Sequence, residues 1–210
     1  MITIVVRVWM PDRPGALGQV ASRIGAVRGD VLAIEILEQG GGRAIDELTV
    51  ALPHDDLMPL LTAEIDAVDG VSVESIRVVD PDRTDASLSA LALGAAIAES
   101  MPSERLEVMV GGIQRFAETD WVIVLDQGDP IARLGEPPEI GWLTAFLAGS
   151  EHLDGLDDSA PSDLLWGHMI TSALTVAAGR TGNPIHERER VRFSLLLRLA
   201  DALVSQHPVA

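Results

Sequence analysis

The chain has 210 residues, a net charge of -17 and no cysteine, and each of its 15 basic residues is an arginine. That charge repels nucleic acid and anionic membrane surfaces, so neither is expected as a partner. The missing thiols exclude disulfides, zinc thiolate sites, iron–sulfur clusters and a cysteine nucleophile, and the missing lysines exclude Schiff-base chemistry and a lysine-bearing phosphate loop.

The length suits two ordinary domains, each with its own core. Ile4 to Trp9 is a β-branched run that suits a buried strand, and Pro11 ends it. Asp12-Arg13-Pro14-Gly15-Ala16-Leu17 then forms a turn, with Pro14 placed at the first helical position, where its fixed φ and missing N–H cost nothing. From there Leu17, Val20, Ala21, Ile24 and Val27 recur at the spacing of one buried helix face. The first N–H groups of such a helix lack internal partners and attract an anion such as a carboxylate. Gly15 leaves the approach open and Asp12 would receive a ligand ammonium, so the turn would hold both ends of a zwitterion. A purely structural reading stands beside this one: Asp12 caps the helix, and Pro14 and Gly15 only shape the turn.

Val31 to Glu38 reads as a second strand, with Val31, Ala33 and Ile36 as strand positions, and Gln39 to Arg43 as a flexible hairpin connection. Ala44 to Leu52 returns as a third strand. A helix from His54 to Val68 carries Leu57, Leu60, Leu61, Ile65 and Val68 on one face, and Val71 to Val79 alternates as a last strand. The order βαββαβ predicts a ferredoxin-like four-stranded antiparallel sheet with both helices on one face and the other face uncovered or free for a partner.

Residues 1–80, with Asp12-Arg13-Pro14-Gly15-Ala16-Leu17 following the first strand, resemble the ACT domain. The resemblance implies regulation by a small effector, typically an amino acid, bound between two copies of the domain. On that likeness Asp12, Arg13, Gly15, Ala16 and Leu17 belong to the ligand-contacting turn. Met10 stands where phosphoglycerate dehydrogenase-type relatives carry a His, and Val31 stands where they carry an Asn that reaches the ligand across the dimer interface. Serine recognition of that type is therefore not expected. Asp12 in place of Asn resembles the aspartokinase-type variant.

Residues 81–85 are polar, acidic and proline-containing, which marks a linker. Beyond it a helix from Ala86 shows a stripe of Leu88, Leu91, Ala92, Ala95 and Ala96, and a second helix one of Leu106, Met109, Val110, Ile113 and Phe116. Asp120 to Asp126 and Ile131 to Leu134 read as strands about a hairpin turn, and Pro138 to Leu147 as a short helix with Ile140, Leu143 and Leu147 inward. Strands at Leu164 to Met169 and Leu174 to Gly179 precede a last helix, His186 to Val204. That helix buries Phe193, Leu196, Leu197, Ala200 and Leu203 and exposes Glu187, Arg188, Arg190, Arg192 and Arg198. Residues 86–210, in this order, resemble a small GAF domain, an α+β fold with a central antiparallel sheet.

No catalytic motif is present, so no enzyme activity and no cofactor are expected. Asp154, Asp157 and Asp158 would suit a divalent cation but do not follow the order of a calcium loop, and a solvated acidic loop is the simpler reading. Trp166 and His168 stand two apart in a strand, on one sheet face, where they would line a pocket or simply pack. The expectation is a cytoplasmic, bacterial, homodimeric regulatory protein that binds an amino acid. The start lacks a signal-peptide pattern, and no run approaches the ~18 apolar residues of a membrane span. The alternatives are an assembly protein whose second domain docks a partner, and an enzyme that uses that domain's pocket.

Overall fold

The computed structural model describes residues 1–83, 85–150 and 161–205, and the chain separates into two compact units, Met1–Arg83 and Thr84–Ala210. The first unit runs β1 (Ile2–Pro11), α1 (Ala16–Ala26), β2 (Asp30–Gly40), β3 (Arg43–Leu52), a single 3-10 turn (Asp55–Leu57), α2 (Met58–Asp66) and β4 (Ser72–Val79). Its strands form one antiparallel sheet in the order β2-β3-β1-β4, the ferredoxin-like arrangement. The β2–β3 hairpin closes through Gly41 and Gly42, at φ +58° and +76°, because a two-residue loop between twisted strands needs positive φ at both positions.

Alternation along β1 divides the sheet faces. Ile4, Val6, Val8 and Met10 pack with Val20 and Ile24 of α1 and Leu61 and Ile65 of α2, all at most 3% exposed. The opposite face is not bare as the sequence suggested, since Val5, Arg7, Ile45 and Glu47 are buried there. Two further arginines, Arg83 and Arg77, reach Glu47 at 3.2 and 3.8 Å. The second helix also begins later than its apolar pattern implied. The 3-10 turn occupies Asp55–Leu57, and Pro59, which cannot donate, falls in the first turn of α2, where no donor is required. Leu60 consequently points outward, 49% exposed.

The second unit runs α3 (Ala86–Glu99), α4 (Arg105–Ala117), β5 (Trp121–Asp126), β6 (Asp129–Leu134), α5 (Ile140–Gly149), β7 (Leu164–Met169), β8 (Leu174–Gly179) and α6 (Glu187–Val204). It is an α+β unit around an antiparallel sheet ordered β6-β5-β8-β7. Val122 and Val124 of β5 face a core shared with α3, α4 and α6, whereas Trp121, Ile123 and Leu125 face Leu143 and Leu147 of α5. Asp85 caps α3 by accepting from the N–H groups of Ser87 and Leu88 at 2.8 and 3.0 Å.

Two expectations fail in this unit. The stripe assigned to α3 is its outer face: Leu88 and Leu91 are 56% and 65% exposed, and Leu93, Gly94 and Ile97 are the buried residues. An Ala- and Leu-rich helix is apolar all round, so periodicity does not select a face. Arg190, read as exposed, is buried and donates to the carbonyls of Leu164 and Pro161. Arg180 does similar work at the β8–α6 connection, where its guanidinium holds Ala117 O at 2.9 Å, Pro184 O at 2.8 Å and the Glu189 carboxylate at 2.7 Å. No helix among the described residues is long and apolar enough to cross a membrane.

Candidate functional site

β1 ends at Pro11 opposite Arg43, and the chain turns beside the β2–β3 hairpin, where the N–H of Asp12 donates to Gly42 O over 2.9 Å. Arg13 O accepts from the N–H of Ala16 at 3.2 Å, and the first intrahelical bond, from Gln19 N–H to Gly15 O at 3.1 Å, starts α1. The helix therefore begins at Ala16, not at Pro14. Gly15 is the N-cap, at φ +89°, a left-handed conformation that a proline-led helix start does not provide. No side chain caps the helix and no acidic residue occupies its first turn, so Asp12 is not the cap. The N–H groups of Leu17 and Gly18 lie beyond the reach of the helical ladder, in the position that favours an anion.

Of the residues singled out from the sequence, Asp12, Arg13 and Gly15 are exposed on this turn, Leu17 is half-buried, and Ala16 and Met10 are buried beneath it. Arg13 makes a long contact, 3.5 Å, from Nη2 to Gln19 Oε1. Val31 is elsewhere. It pairs with Val50, whereas Met10 pairs with Ala44, so the two are six positions apart along β3, about 20 Å. Within one chain Val31 cannot line the same pocket as Met10 and Leu17; only a second copy would bring it there.

The sheet also carries a buried carboxyl that is not among those residues. Asp46 lies in β3 opposite Val8, on the helix-facing side, and is 4% exposed. Its Oδ1 is buried without a hydrogen-bond partner among the described residues. Burial raises the pKa of this carboxyl, and the charge of Asp12 raises it further. The available signal was alternation: Ala44, Leu48, Val50 and Leu52 face inward, and an aspartate in the middle of that series breaks the rule.

An open groove of about 670 Å³ lies between α1 and the segment that follows α2, lined in part by Arg13, Arg23, Val68 and Asp69. Arg23 is engaged there by Glu64 at 2.9 Å, and neither Asp12 nor Asp46 reaches it. In the second unit, Trp166 and His168 share the sheet face that carries α5, paired with Ala177 and Thr175. Phe146 meets Trp166 edge-on at a centroid distance of 5.3 Å, and the exposed His168 places Nδ1 3.0 Å from Thr175 Oγ1. Asp154, Asp157 and Asp158 fall outside the described residues, among which no three His, Cys, Asp or Glu side chains converge as metal ligands.

No protein-family model and no curated protein matches the chain. Solved structures similar to it include an unknown protein from Galdieria sulphuraria, with 20% identity and a TM-score of 0.32 over 45% of this chain and 64% of that one. An ACT domain protein from Streptococcus pneumoniae is 15% identical, with a TM-score of 0.31 over 48% of this chain and 97% of that one. A formyltetrahydrofolate deformylase from Pseudomonas putida is 16% identical, with a TM-score of 0.29 over 45% and 38%. The chain thus spans nearly all of the streptococcal protein and less than two thirds of the other two.

Proposed function

We propose that the chain is a non-catalytic, cytoplasmic regulatory protein that binds an amino acid at the Asp12 to Leu17 turn, between two copies of the first unit. The observation that carries this reading is the uncapped start of α1 beside the exposed carboxylate of Asp12. A free amino acid brings a carboxylate for the first and an ammonium for the second, each a charge-assisted hydrogen bond. A second copy accounts for two further features. The edge strand β2 leaves Leu32, Ile34 and Ile36 between 40% and 54% exposed, an unprotected apolar edge. Val31 of that strand also contributes to the pocket only from another copy. The second unit, read as GAF-like, would respond to the occupied dimer.

A screen of the common amino acids by thermal shift on the full chain tests the proposal, since a ligand bound only by the folded state raises the melting temperature by mass action. One or a few should do so, and Asp12→Ala should abolish the shift. Light scattering of the full chain should give a dimer at micromolar concentration. A shift that survives Asp12→Ala would move the site elsewhere.

One observation favours a second reading, that of an assembly protein: Leu88 and Leu91 of α3 and Leu195 and Leu199 of α6 are large, apolar and exposed. On that reading no amino acid shifts the melt, and Leu91→Glu disrupts association with a partner.

A further inference from the structure

The outward faces of α3 and α6 are apolar where a surface helix normally carries charge. On α3, Leu88, Leu91, Ala92 and Ala95 are exposed at helical spacing, and no charged residue stands between Asp85 and Glu99. On α6, Val191, Leu195 and Leu199 form a second stripe, each between 39% and 54% exposed. The two stripes lie side by side. The side chain of Leu199 sits against Gly94, and Arg105, at the start of α4 and so beside the end of α3, donates to Leu203 O at 2.8 Å. Helices α3 and α6 therefore run parallel, with Leu195 level with Leu91. Each stripe also ends in a charge that its own helix disfavours. Glu99 closes α3 at the negative end of its dipole, and Arg188 lies in the first turn of α6, at the positive end. Both side chains are exposed.

We infer that a second copy of the chain covers this face, with α3 and α6 of one copy packed antiparallel on α6 and α3 of the other about a two-fold axis beside Leu91 and Leu195. A two-fold contact sets one patch against itself. On the register given by Gly94 and Leu199, Leu91 meets Leu195 of the second copy, Leu88 meets Leu199, and Arg188 meets Glu99. The charges select this occupant. Copies with a net charge of -17 repel each other except where charge is absent or matched, and here the apolar stripes bring none. The antiparallel arrangement also joins the two charges that sit at the wrong ends of their own helices, and it sets the positive end of α6 beside the negative end of the opposing α3. This interface stands apart from the amino-acid site and does not depend on it.

The chain has no cysteine, so single introduced thiols report contacts between copies without background. Full-length Leu91→Cys and Leu195→Cys proteins are mixed under a mild oxidant, with Ile170→Cys, 90% exposed after β7, as the control for random collision. All three replace exposed side chains, and their melts should match wild type. The mixture should form disulfide-linked dimers at least tenfold faster than Ile170→Cys. Adding Arg188→Glu to both partners should slow cross-linking at least fivefold, and adding Glu99→Arg as well should restore it to within twofold. A mixture that cross-links no faster than the control overturns the interface, whether the face is then bare or covered by a different protein. Cross-linking that Arg188→Glu does not slow, or that the double reversal does not restore, overturns the antiparallel arrangement. Each of these failures leaves the amino-acid site standing, because that site is read separately, from the thermal shift and its loss in Asp12→Ala.

Discussion

Arg7 and Glu47 face each other across β1 and β3, with Nε of the arginine donating to Oε2 of the glutamate over 2.8 Å and the two side chains 2% and 7% exposed. Arg83 reaches the other carboxylate oxygen at 3.2 Å but is about a third exposed, so Glu47 anchors a buried cation and also draws the chain after β4 onto the sheet. Removing one partner of a buried pair costs about 3–5 kcal/mol, because the other is left as an uncompensated buried charge. Glu47→Ala should lower stability by that amount, and hydrogen exchange at the amides of β1 and β3 should report it. Arg83→Ala, which removes a partly solvated partner, should cost about 1 kcal/mol or less.

The carboxylate of Asp201 in α6 organises the β7–β8 turn. It accepts from the N–H groups of Thr171 and Ser172 at 2.8 and 2.9 Å and from the Ser172 hydroxyl at 2.9 Å. Burial pushes its pKa up, but these hydrogen bonds outweigh burial and hold it below the ordinary aspartate value. A depressed folded-state pKa contributes stability that is present above the unfolded value, about pH 4, and is lost as pH falls through the folded value. Asp201→Asn should therefore cost about 2 kcal/mol at neutral pH. Thermal melts of the two proteins should converge as the pH is lowered toward 2.

Gly15 is needed for its backbone and not for space. A Cβ built on it meets no atom within 4 Å, yet its φ is +89°. Gly15→Ala should destabilise by about 1–2 kcal/mol, the usual left-handed penalty, and Gly15→Asn by less, since Asn tolerates that region. Denaturant midpoints of the three proteins should fall in the order Gly, Asn, Ala.

Local pattern made much of the fold legible. β7 and β8 occupy the predicted residues 164–169 and 174–179, because both are short runs bounded by turn chemistry. The βαββαβ order followed from the alternation of period-2 and period-3.6 segments. What could not be read depended on partners distant in sequence. The buried face of α3 is set by packing such as Leu93 against Gly112 of α4, and nothing local distinguishes it from the face of Leu88 and Leu91. The parity of β2, an edge strand, was hidden by two register shifts, between Val31 and Ala33 and between Ile36 and Glu38.

The candidate site was half legible for the same reason. The turn of Asp12 to Leu17 is contiguous in sequence, so its chemistry could be listed, although its helix start lay two residues further on than Pro14 implied. The buried carboxyl of Asp46 sits on β3 opposite Val8, and only that strand pairing shows that it falls on the helix-facing side of the sheet. Val31 was assigned by resemblance as a contact across a dimer interface, and the register, which puts it at the far end of the sheet within one chain, is that of a residue only a second copy could bring to the turn.

Binding of an amino acid at the start of α1 can be mapped by amide chemical shifts on isotopically labelled full-length protein, titrated with the amino acid that gives the largest thermal shift. The largest changes should fall on the amides of Asp12 to Gly18, with a smaller set on β2 around Val31. Changes confined to residues 86–205, with Asp12 to Gly18 unmoved, would contradict it.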